Sequence, residues 1–337
     1  MLKHLMMQTA GFFIRGEGRG MSANPYPKPA QTVQQHIDLL EQRGMHFRDK
    51  TAAASSLSHI SYYHLGLYWY DLRQRAKPQI PKNNERLEAF QENVFFEDVI
   101  DRYHFDEKLR DLVSTALGKI EISLKTQWAQ YFSLKYSPLF YYDCQYYSPP
   151  KLKGKKIQDI IQNAQAKFFQ SNEDFIMKYK TRRPNSTLPE AWLITEILSF
   201  GEFLYFIYFL RQKDKQEFAH LYAKNRKSDF IKQGGFIAAL NQLRAIRNIC
   251  AHNGRLWNRV FSAIPPAPNT SPLLQQALDL SSPKKLYNIL CYIVYLLRSI
   301  DSRQEWRHDF IGFIQQHPHR THAMGFPADW RIASLWR

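Results

Sequence analysis

The stretch that decides the fold runs from residue 95 to residue 135 and reads FFEDVIDRYHFDEKLRDLVSTALGKIEISLKTQWAQYFSLK. Its apolar residues recur mostly at intervals of three and four positions, which is the periodicity of one face of an α-helix. They are Val99, Leu109, Leu112, Val113, Leu117, Ile120, Leu124 and Trp128. The pattern predicts a single long amphipathic helix. Pro138 marks its end, because proline cannot continue a helix.

Helical patterns continue on both sides of this stretch. Upstream, three prolines within 25–29 predict an extended entry, and Thr32 is a suitable N-cap for a helix that Gly44 ends. Helices are also predicted at 51–60, 157–169, 172–179, 189–211, 213–223, 228–253 and 283–313. Alternation typical of strands is nearly absent, and neither a fixed repeat nor a low-complexity linker divides the chain. The predicted fold class is all-α.

Composition and net charge restrict the kinds of molecule that the protein is expected to bind. The chain has 337 residues, 44% of them hydrophobic, which suffices for a globular core. A formal net charge of +16 creates a long-range field that attracts polyanions. Nucleic acid and an anionic membrane surface are therefore natural partners, although many soluble proteins are basic without a specific ligand. Cys144, Cys250 and Cys291 are far apart, which indicates neither a disulfide framework nor a zinc ribbon and fits a reducing cytoplasm.

Two segments bear on targeting. Residues 1–24 lack the long apolar core of a signal peptide, so we expect an N-terminal extension that is poorly ordered or packs peripherally. Met21 is then a candidate natural start. The most apolar stretch, 192–210, carries Glu196 and Glu202, which are costly in hydrocarbon, so it predicts a buried core helix rather than a membrane span. We expect a cytoplasmic protein without a membrane partner.

The residues that carry chemistry lie at 243–259, LRAIRNICAHNGRLWNR. On a helix Asn248 and His252 are four positions apart and share a face, and Arg244 extends that stripe by one turn. Arg247 and His252 are five apart, so their side chains diverge by about 140° at 100° per residue. Either the long arginine side chain partly closes this gap, or two subunits related by a two-fold axis contribute to one composite cleft.

The spacing of this motif suits RNA cleavage by the 2′-hydroxyl. Gly254 is a natural C′ residue, which predicts that His252 lies in the last helical turn, where the dipole favours the protonated imidazolium. One group must take the 2′ proton, and one must protonate the leaving 5′ oxygen. The fork of Arg247 would neutralise the scissile phosphate, and this chemistry needs no metal. By itself, an Arg-x4-His spacing is also compatible with a histidine that caps or packs.

Other clusters give weaker indications. His317, His319 and His322 have ligand-like spacing, but the intervening proline breaks their helical presentation and no acid or cysteine completes a set. An exposed connector is therefore favoured over a metal site. The sequence has no glycine-rich phosphate-binding motif, so no nucleotide cofactor is expected. Asp106 and Arg110 are four apart and predict an intrahelical ion pair.

The motif resembles that of a known family. The run from Arg247 to Arg259 is similar to the signature of the Abi-like (abortive infection) bacterial proteins. Their Arg-Asn-x-x-x-His element is a HEPN motif, which also occurs in the RNA-guided RNases of type VI CRISPR systems. Further segments resemble the family in the same order along the chain: KP at 28–29 with QHIDLL at 35–40, ISYYHLGLYWY at 60–70, YHFDEKLR at 103–110 with KIE at 119–121, Trp192 with EILSFG at 196–201, and MGFPADW at 324–330.

The resemblance spans about residues 25–330 and implies a fold and an activity. The fold is an all-α, HEPN-type helical bundle with additional N-terminal helices. An Abi-like domain at 25–337 would then comprise an N-terminal helical part (25–94), a HEPN-like core (95–313) and a C-terminal segment (314–337). The activity is metal-independent RNA cleavage by a homodimer, leaving a 2′,3′-cyclic phosphate. The role is phage defence or growth arrest, in some members with a protein or RNA antitoxin as partner.

The resemblance also assigns roles to residues. Arg247 and His252 match the catalytic pair, and Asn248 matches the polar residue that orients them. A second histidine often follows the catalytic one in the family, and Asn253 stands at that place in this chain. The candidate substrate-binding residues are Arg244, Arg255, Asn258 and Arg259. The leading hypothesis is thus a toxin-like endoribonuclease, and its rival is a non-catalytic module that binds RNA or an antitoxin through the same stripe.

Overall fold

The computed structural model describes residues 29–75, 86–148, 156–184, 188–225, 227–262 and 264–337. The N-terminal extension expected at 1–24 lies outside these residues. The described helices are α1 (Val33–Gln42), α2 (Lys50–His59), α3 (Tyr62–Trp69), α4 (Phe96–Lys135), α5 (Ile157–Gln170), α6 (Asp174–Arg182), α7 (Ala191–Ile197), α8 (Phe200–Phe209), α9 (Gln212–His220), α10 (Gln233–Ala251), α11 (Pro272–Ala277), α12 (Leu286–Leu297) and α13 (Glu305–Gln316). Two short strands, β1 (Arg73–Arg75) and β2 (Arg86–Phe90), pair antiparallel. The predicted all-α class is confirmed.

The described residues form two compact units. The first comprises 29–62, 72–75 and 86–96, and the second comprises 63–71 and the described residues from 97 onward. The division of the chain at 94 and 313 that the resemblance implies stays a prediction.

The first unit contains α1, α2 and the two strands. Thr32 caps α1 as predicted, within a capping box: its hydroxyl accepts from the Gln35 N–H, and the Gln35 side chain accepts from the Thr32 N–H. Gly44, at φ +90°, ends the helix as predicted. Ile37 and Leu40 are the buried residues of α1.

The second unit is built around α12, whose residues are all buried. A helix without a polar face belongs in the middle of a domain. α10 packs against α8, α9 and α12, and α5 packs against α7 and α8. In the described part of the chain, no helix is long and apolar enough to span a membrane.

α4 confirms the prediction from residues 95–135. It has 40 residues and is therefore about 60 Å long. Its predicted apolar positions are buried, except that Leu112 is half-buried. One long helix thus provides many of the buried residues of the second unit.

The structure corrects three predicted elements. The helix predicted at 189–211 is two helices, because Ser199 and Glu202 form a capping box that starts α8 after a break at Leu198. The helix predicted at 283–313 is also two, separated by 298–304. The helix predicted to start at residue 228 starts at Gln233. The two strands, α3 and α11 were not predicted. The strands and α11 are too short to show a period, and α3 lies in an aromatic run without a polar face.

Candidate functional site

The end of α10 forms a Schellman motif that places the predicted histidine. The Gly254 N–H donates to the Ile249 carbonyl at 2.8 Å, and the Asn253 N–H donates to the Cys250 carbonyl at 3.1 Å. Asn253 holds the left-handed conformation, with φ +52°. The predictions are thus wrong by one position: Asn253, not Gly254, is the C′ residue, and His252 is the C-cap rather than part of the last turn.

Glycine at position 254 makes a close approach to the preceding turn. A Cβ there would lie 3.3 Å from the Ile249 carbonyl oxygen and 3.3 Å from Ile249 Cγ2. A side chain at this position therefore needs a small shift of Ile249, although the backbone of Gly254 has no positive φ. Because the two loop N–H groups satisfy carbonyls of the last turn, the His252 side chain is not needed as a cap.

The three residues assigned to catalysis lie along the exposed side of the end of α10. Arg247, Asn248 and His252 are all exposed. Among the described residues, none hydrogen-bonds to the His252 imidazole or to the Asn248 amide. Arg244 is half-buried, and its Cδ lies 3.5 Å from where a Cβ on Gly201 would be, at the start of α8. The structure therefore presents the motif on the surface.

A carboxylate from α4 lies beside Arg247. Glu121 Oε2 is 3.9 Å from Arg247 Nε, and the side chains are 16% and 44% exposed, respectively. Lys125 contacts the same carboxylate at 3.0 Å and donates to the Leu198 carbonyl at 2.6 Å. Arg247, Glu121 and Lys125 thus form a series of alternating charges. It connects the motif to the break between α7 and α8. No local pattern in the sequence indicated Glu121 as a neighbour of Arg247.

A buried carboxylate anchors the loop that follows the motif. Asp106, fully buried on α4, accepts from the main-chain N–H of Leu256 at 3.0 Å and of Trp257 at 2.5 Å. It also accepts from the Tyr68 hydroxyl at 2.7 Å and from Arg110 at 2.6 Å. The predicted intrahelical ion pair is confirmed, and the structure adds that the pair is buried and holds a loop 150 residues further along the chain.

The candidate substrate-binding residues of this loop have main-chain or side-chain partners. Arg255 donates to the Leu67 carbonyl at 2.7 Å, and Arg259 donates to the Arg255 carbonyl at 3.2 Å. Burial lowers the pKa of both guanidinium groups. Asn258 has φ +51° and accepts from Lys285 at 3.4 Å. Their role in binding RNA stays a prediction, since each also supports the fold of the loop.

The cysteine within the motif faces inward. Cys250 is buried, with 7% of its surface exposed. Burial raises its pKa to about 11, so the reactive thiolate is scarce at neutral pH. Cys250 is therefore a packing residue and not a nucleophile.

The C-terminal histidines are engaged locally. His317 Nδ1 lies 2.9 Å from the Phe313 carbonyl, and its ring centroid is 6.4 Å from that of His319. Within the described ranges, no group of three or more His, Cys, Asp or Glu side chains is placed to hold a metal ion.

Comparison with known proteins identifies the family. A family model described as Abi-like protein matches residues 55–258. The chain belongs to the Abi-like protein family. The match includes α4, α10 and the loop up to Asn258, so it covers both the motif and the Asp106 anchor. No curated protein and no solved structure matches the chain.

Membership in the Abi-like family implies the context of abortive infection, that is, of defence against phage. The site of this Abi-like chain combines an exposed imidazole, an exposed guanidinium and an exposed amide within six residues. Such a set can transfer a proton and bind a phosphate.

Proposed function

We propose that this member of the Abi-like family is a metal-independent HEPN endoribonuclease of a phage-defence or toxin–antitoxin system. The observation that carries the proposal is the exposed set Arg247, Asn248 and His252 at the end of α10, in a chain of net charge +16. An RNA phosphate is attracted by the excess positive charge and can reach all three side chains. The proposed partner is RNA, with an antitoxin as a further candidate.

The proposed reaction is an internal transesterification. The 2′-oxygen attacks the adjacent phosphorus as its proton leaves, and the bond from phosphorus to the 5′-oxygen breaks. The products are a 2′,3′-cyclic phosphate and a 5′-hydroxyl. His252 acts as general acid or base, Arg247 binds the phosphate oxygens and neutralises charge on the transition state, and Asn248 orients the reacting groups.

A single histidine cannot accept the 2′ proton and donate a proton to the 5′-oxygen in the same step. The reaction therefore needs a second proton-transfer group. We propose that it is His252 of a second copy of the chain, in a two-fold composite site. One feature supports this: the motif lies on an exposed helix face, where a second copy of the chain can reach it.

The test is cleavage of RNA in the presence of EDTA. The full chain is incubated with a labelled single-stranded RNA, alongside His252→Ala and His308→Ala. His308 is an exposed histidine on α13 and serves as the matched control. Cleavage by the wild type and by His308→Ala, with loss in His252→Ala, is expected. Undiminished cleavage by His252→Ala contradicts the assignment.

The composite site is tested by comparing dimerisation with specific activity. Sedimentation gives the dissociation constant of the dimer, and the specific activity is followed across that concentration range. We expect the activity per chain to fall as the dimer dissociates. Constant activity per chain in the monomeric range contradicts a shared site.

The rival function is a module that binds RNA or an antitoxin without cleaving. The same exposed stripe would serve it, since an exposed guanidinium and amide can hold a phosphate or an acidic surface without any proton transfer. Salt-dependent RNA binding by the wild type without any cleavage would support this rival.

A further inference from the structure

We infer that Asp106 is a positioning residue for the cleavage reaction. Its carboxylate fixes the loop that follows His252, and its loss slows cleavage far more than it weakens RNA binding. This inference rests on the proposed function and adds to it a residue that lies far from the motif in sequence.

The carboxylate of Asp106 is saturated with donors that come from three parts of the second unit. Two are the main-chain N–H groups of Leu256 and Trp257, one is the Tyr68 hydroxyl, and one is the Arg110 guanidinium. Both members of the ion pair are buried, with side chains 0% and 5% exposed. A buried carboxylate with this many donors holds each of them in a narrow geometry.

The anchored N–H groups lie close to His252 along the chain. Residues 253–255 alone separate His252 from Leu256. At one end of this segment the Schellman motif fixes Asn253 and Gly254, and at the other end the Arg255 side chain donates to the Leu67 carbonyl. His252, the C-cap residue, therefore lies between the end of α10 and the loop whose main-chain N–H groups donate to Asp106.

This placement predicts a larger effect on the rate than on binding. Arg247 and Asn248 lie within α10, which is fixed by buried residues such as Leu243 and Ile246. The phosphate-binding groups thus depend on the helix, whereas the direction of the His252 side chain depends on the backbone beyond it. A misplacement of about 1 Å lowers a rate by about a hundred-fold.

A second buried carboxylate in the same unit provides a matched control. Asp214 on α9 is also 0% exposed and accepts from Lys135 at 2.8 Å, Tyr136 at 2.6 Å and Arg211 at 3.0 Å. Lys135 and Asp106 lie 29 positions apart on α4, which is about 44 Å along the helix axis. Asp214→Asn therefore disturbs a comparable network that has no contact with the loop after His252.

The experiment compares Asp106→Asn, Tyr68→Phe and Asp214→Asn with the wild type. Tyr68→Phe removes one donor to the carboxylate and covers the case in which Asp106→Asn does not fold. The single-turnover rate at saturating protein is measured with a single-stranded RNA that the wild type cleaves. RNA affinity is measured in the same variants combined with His252→Ala. Amide hydrogen exchange at Leu256 and Trp257 is followed in the full chain.

We expect Asp106→Asn to lower the rate by about 30- to 100-fold and Tyr68→Phe by about three-fold, with RNA affinity lowered by no more than about three-fold through the candidate contacts of the same loop. Exchange at Leu256 and Trp257 should accelerate in Asp106→Asn and stay unchanged in Asp214→Asn. The Asp214→Asn rate should lie within two-fold of wild type.

Two results overturn the inference. One is equal loss of rate in Asp106→Asn and Asp214→Asn, which indicates general destabilisation. The other is unchanged exchange at Leu256 and Trp257 in Asp106→Asn. If the wild type does not cleave RNA, the proposed function fails, and the exchange result alone decides whether Asp106 anchors the loop.

Discussion

Arg247 Nε lies 3.9 Å from Glu121 Oε2, so the cation assigned to the RNA phosphate already has a carboxylate as its neighbour. The arginine side chain is 44% exposed, and solvent therefore weakens this ion pair. An incoming phosphate has to compete with Glu121, which gives the pair a measurable influence on RNA affinity.

Glu121→Gln should strengthen RNA binding. Removing the carboxylate charge leaves Arg247 available to phosphate. A partly exposed ion pair contributes about 0.2–1 kcal/mol, which corresponds to a dissociation constant lower by a factor of about 1.4 to 5 at low salt. The difference should shrink as salt screens the charges. The measurement is a salt series of RNA dissociation constants in the His252→Ala background.

The control for this prediction is Glu107→Gln, which changes the net charge equally. Glu107 is 50% exposed on α4 and pairs with His104 instead of Arg247. An equal gain in affinity in the two variants would show that bulk charge, and not the contact with Arg247, is responsible.

Arg247→Lys should keep much of the RNA affinity and lose most of the cleavage. Lysine retains the charge but not the planar fork that holds two phosphate oxygens, and loss of one transition-state donor costs about 10²- to 10³-fold in rate. Single-turnover rates and binding constants separate the two effects. Arg303→Lys, at an exposed arginine paired with Glu305, should match the wild type in both. A rate within three-fold of wild type in Arg247→Lys would contradict a bidentate role.

Substitutions at Asn253 test whether the left-handed backbone conformation after the C-cap limits which residue can stand there. With φ +52°, position 253 should accept glycine with unchanged or slightly higher stability, whereas Asn253→Val should lower the free energy of unfolding by about 1–2 kcal/mol because the Cβ of a branched residue clashes in this region. Urea unfolding measures both. Asn172→Val is the control, since Asn172 is exposed and has no positive φ. Equal losses at positions 253 and 172 would refute the conformational explanation.

The cysteines should differ sharply in reactivity. Cys144 is exposed, whereas Cys250 and Cys291 are buried, and burial raises their thiol pKa to about 11 and about 12, respectively. At pH 8 a thiol-specific reagent should modify one cysteine rapidly and the others only after denaturation. Cys144→Ser should abolish the rapid phase. Rapid modification of Cys250 in the folded chain would contradict its inward orientation.

The raised pKa of Cys250 also predicts a loss of stability at high pH. The folded-state pKa of about 11 lies above the ordinary value of 9.0, so folding favours the neutral thiol. Its contribution is fully present below about pH 9 and is lost as the pH rises toward 11. Two pKa units correspond to about 2.7 kcal/mol. The measurement is the fall in unfolding free energy between pH 8 and pH 10.5, which should be smaller in Cys250→Ala than in wild type.

Periodicity in the sequence was sufficient to predict the helices that carry the site. The helix α4 followed from its apolar spacing, and α1 followed from Thr32 and Gly44, because both signals act within one or two turns. The break before α8 also had a local signal, the Ser199–Glu202 capping box. The apolar run across 192–210 obscured it, since a buried helix pair and one long helix share the same composition.

The environment of the motif was not predictable in the same way. Asp106 contacts a loop 150 residues away, and Glu121 contacts Arg247 from another helix, so neither relationship leaves a local pattern. The position of the C-cap was missed because Gly254 follows Asn253, and both residue types suit a helix end. The positive φ of Asn253 and the hydrogen bonds of the Schellman motif decide between them, and both are visible only in three dimensions.

The Schellman motif and the hydrogen bonds to Asp106 together fix the length of chain between His252 and Leu256. From His252 to Leu256 there are four peptide steps, which span at most about 14 Å of extended chain, and both ends are fixed. One inserted residue would add about 3.5 Å and move either the cap or the anchored N–H groups out of register. The working motif of this chain is therefore longer than Arg-x4-His: it extends to Trp257, and it should tolerate substitutions between its fixed points far better than insertions or deletions.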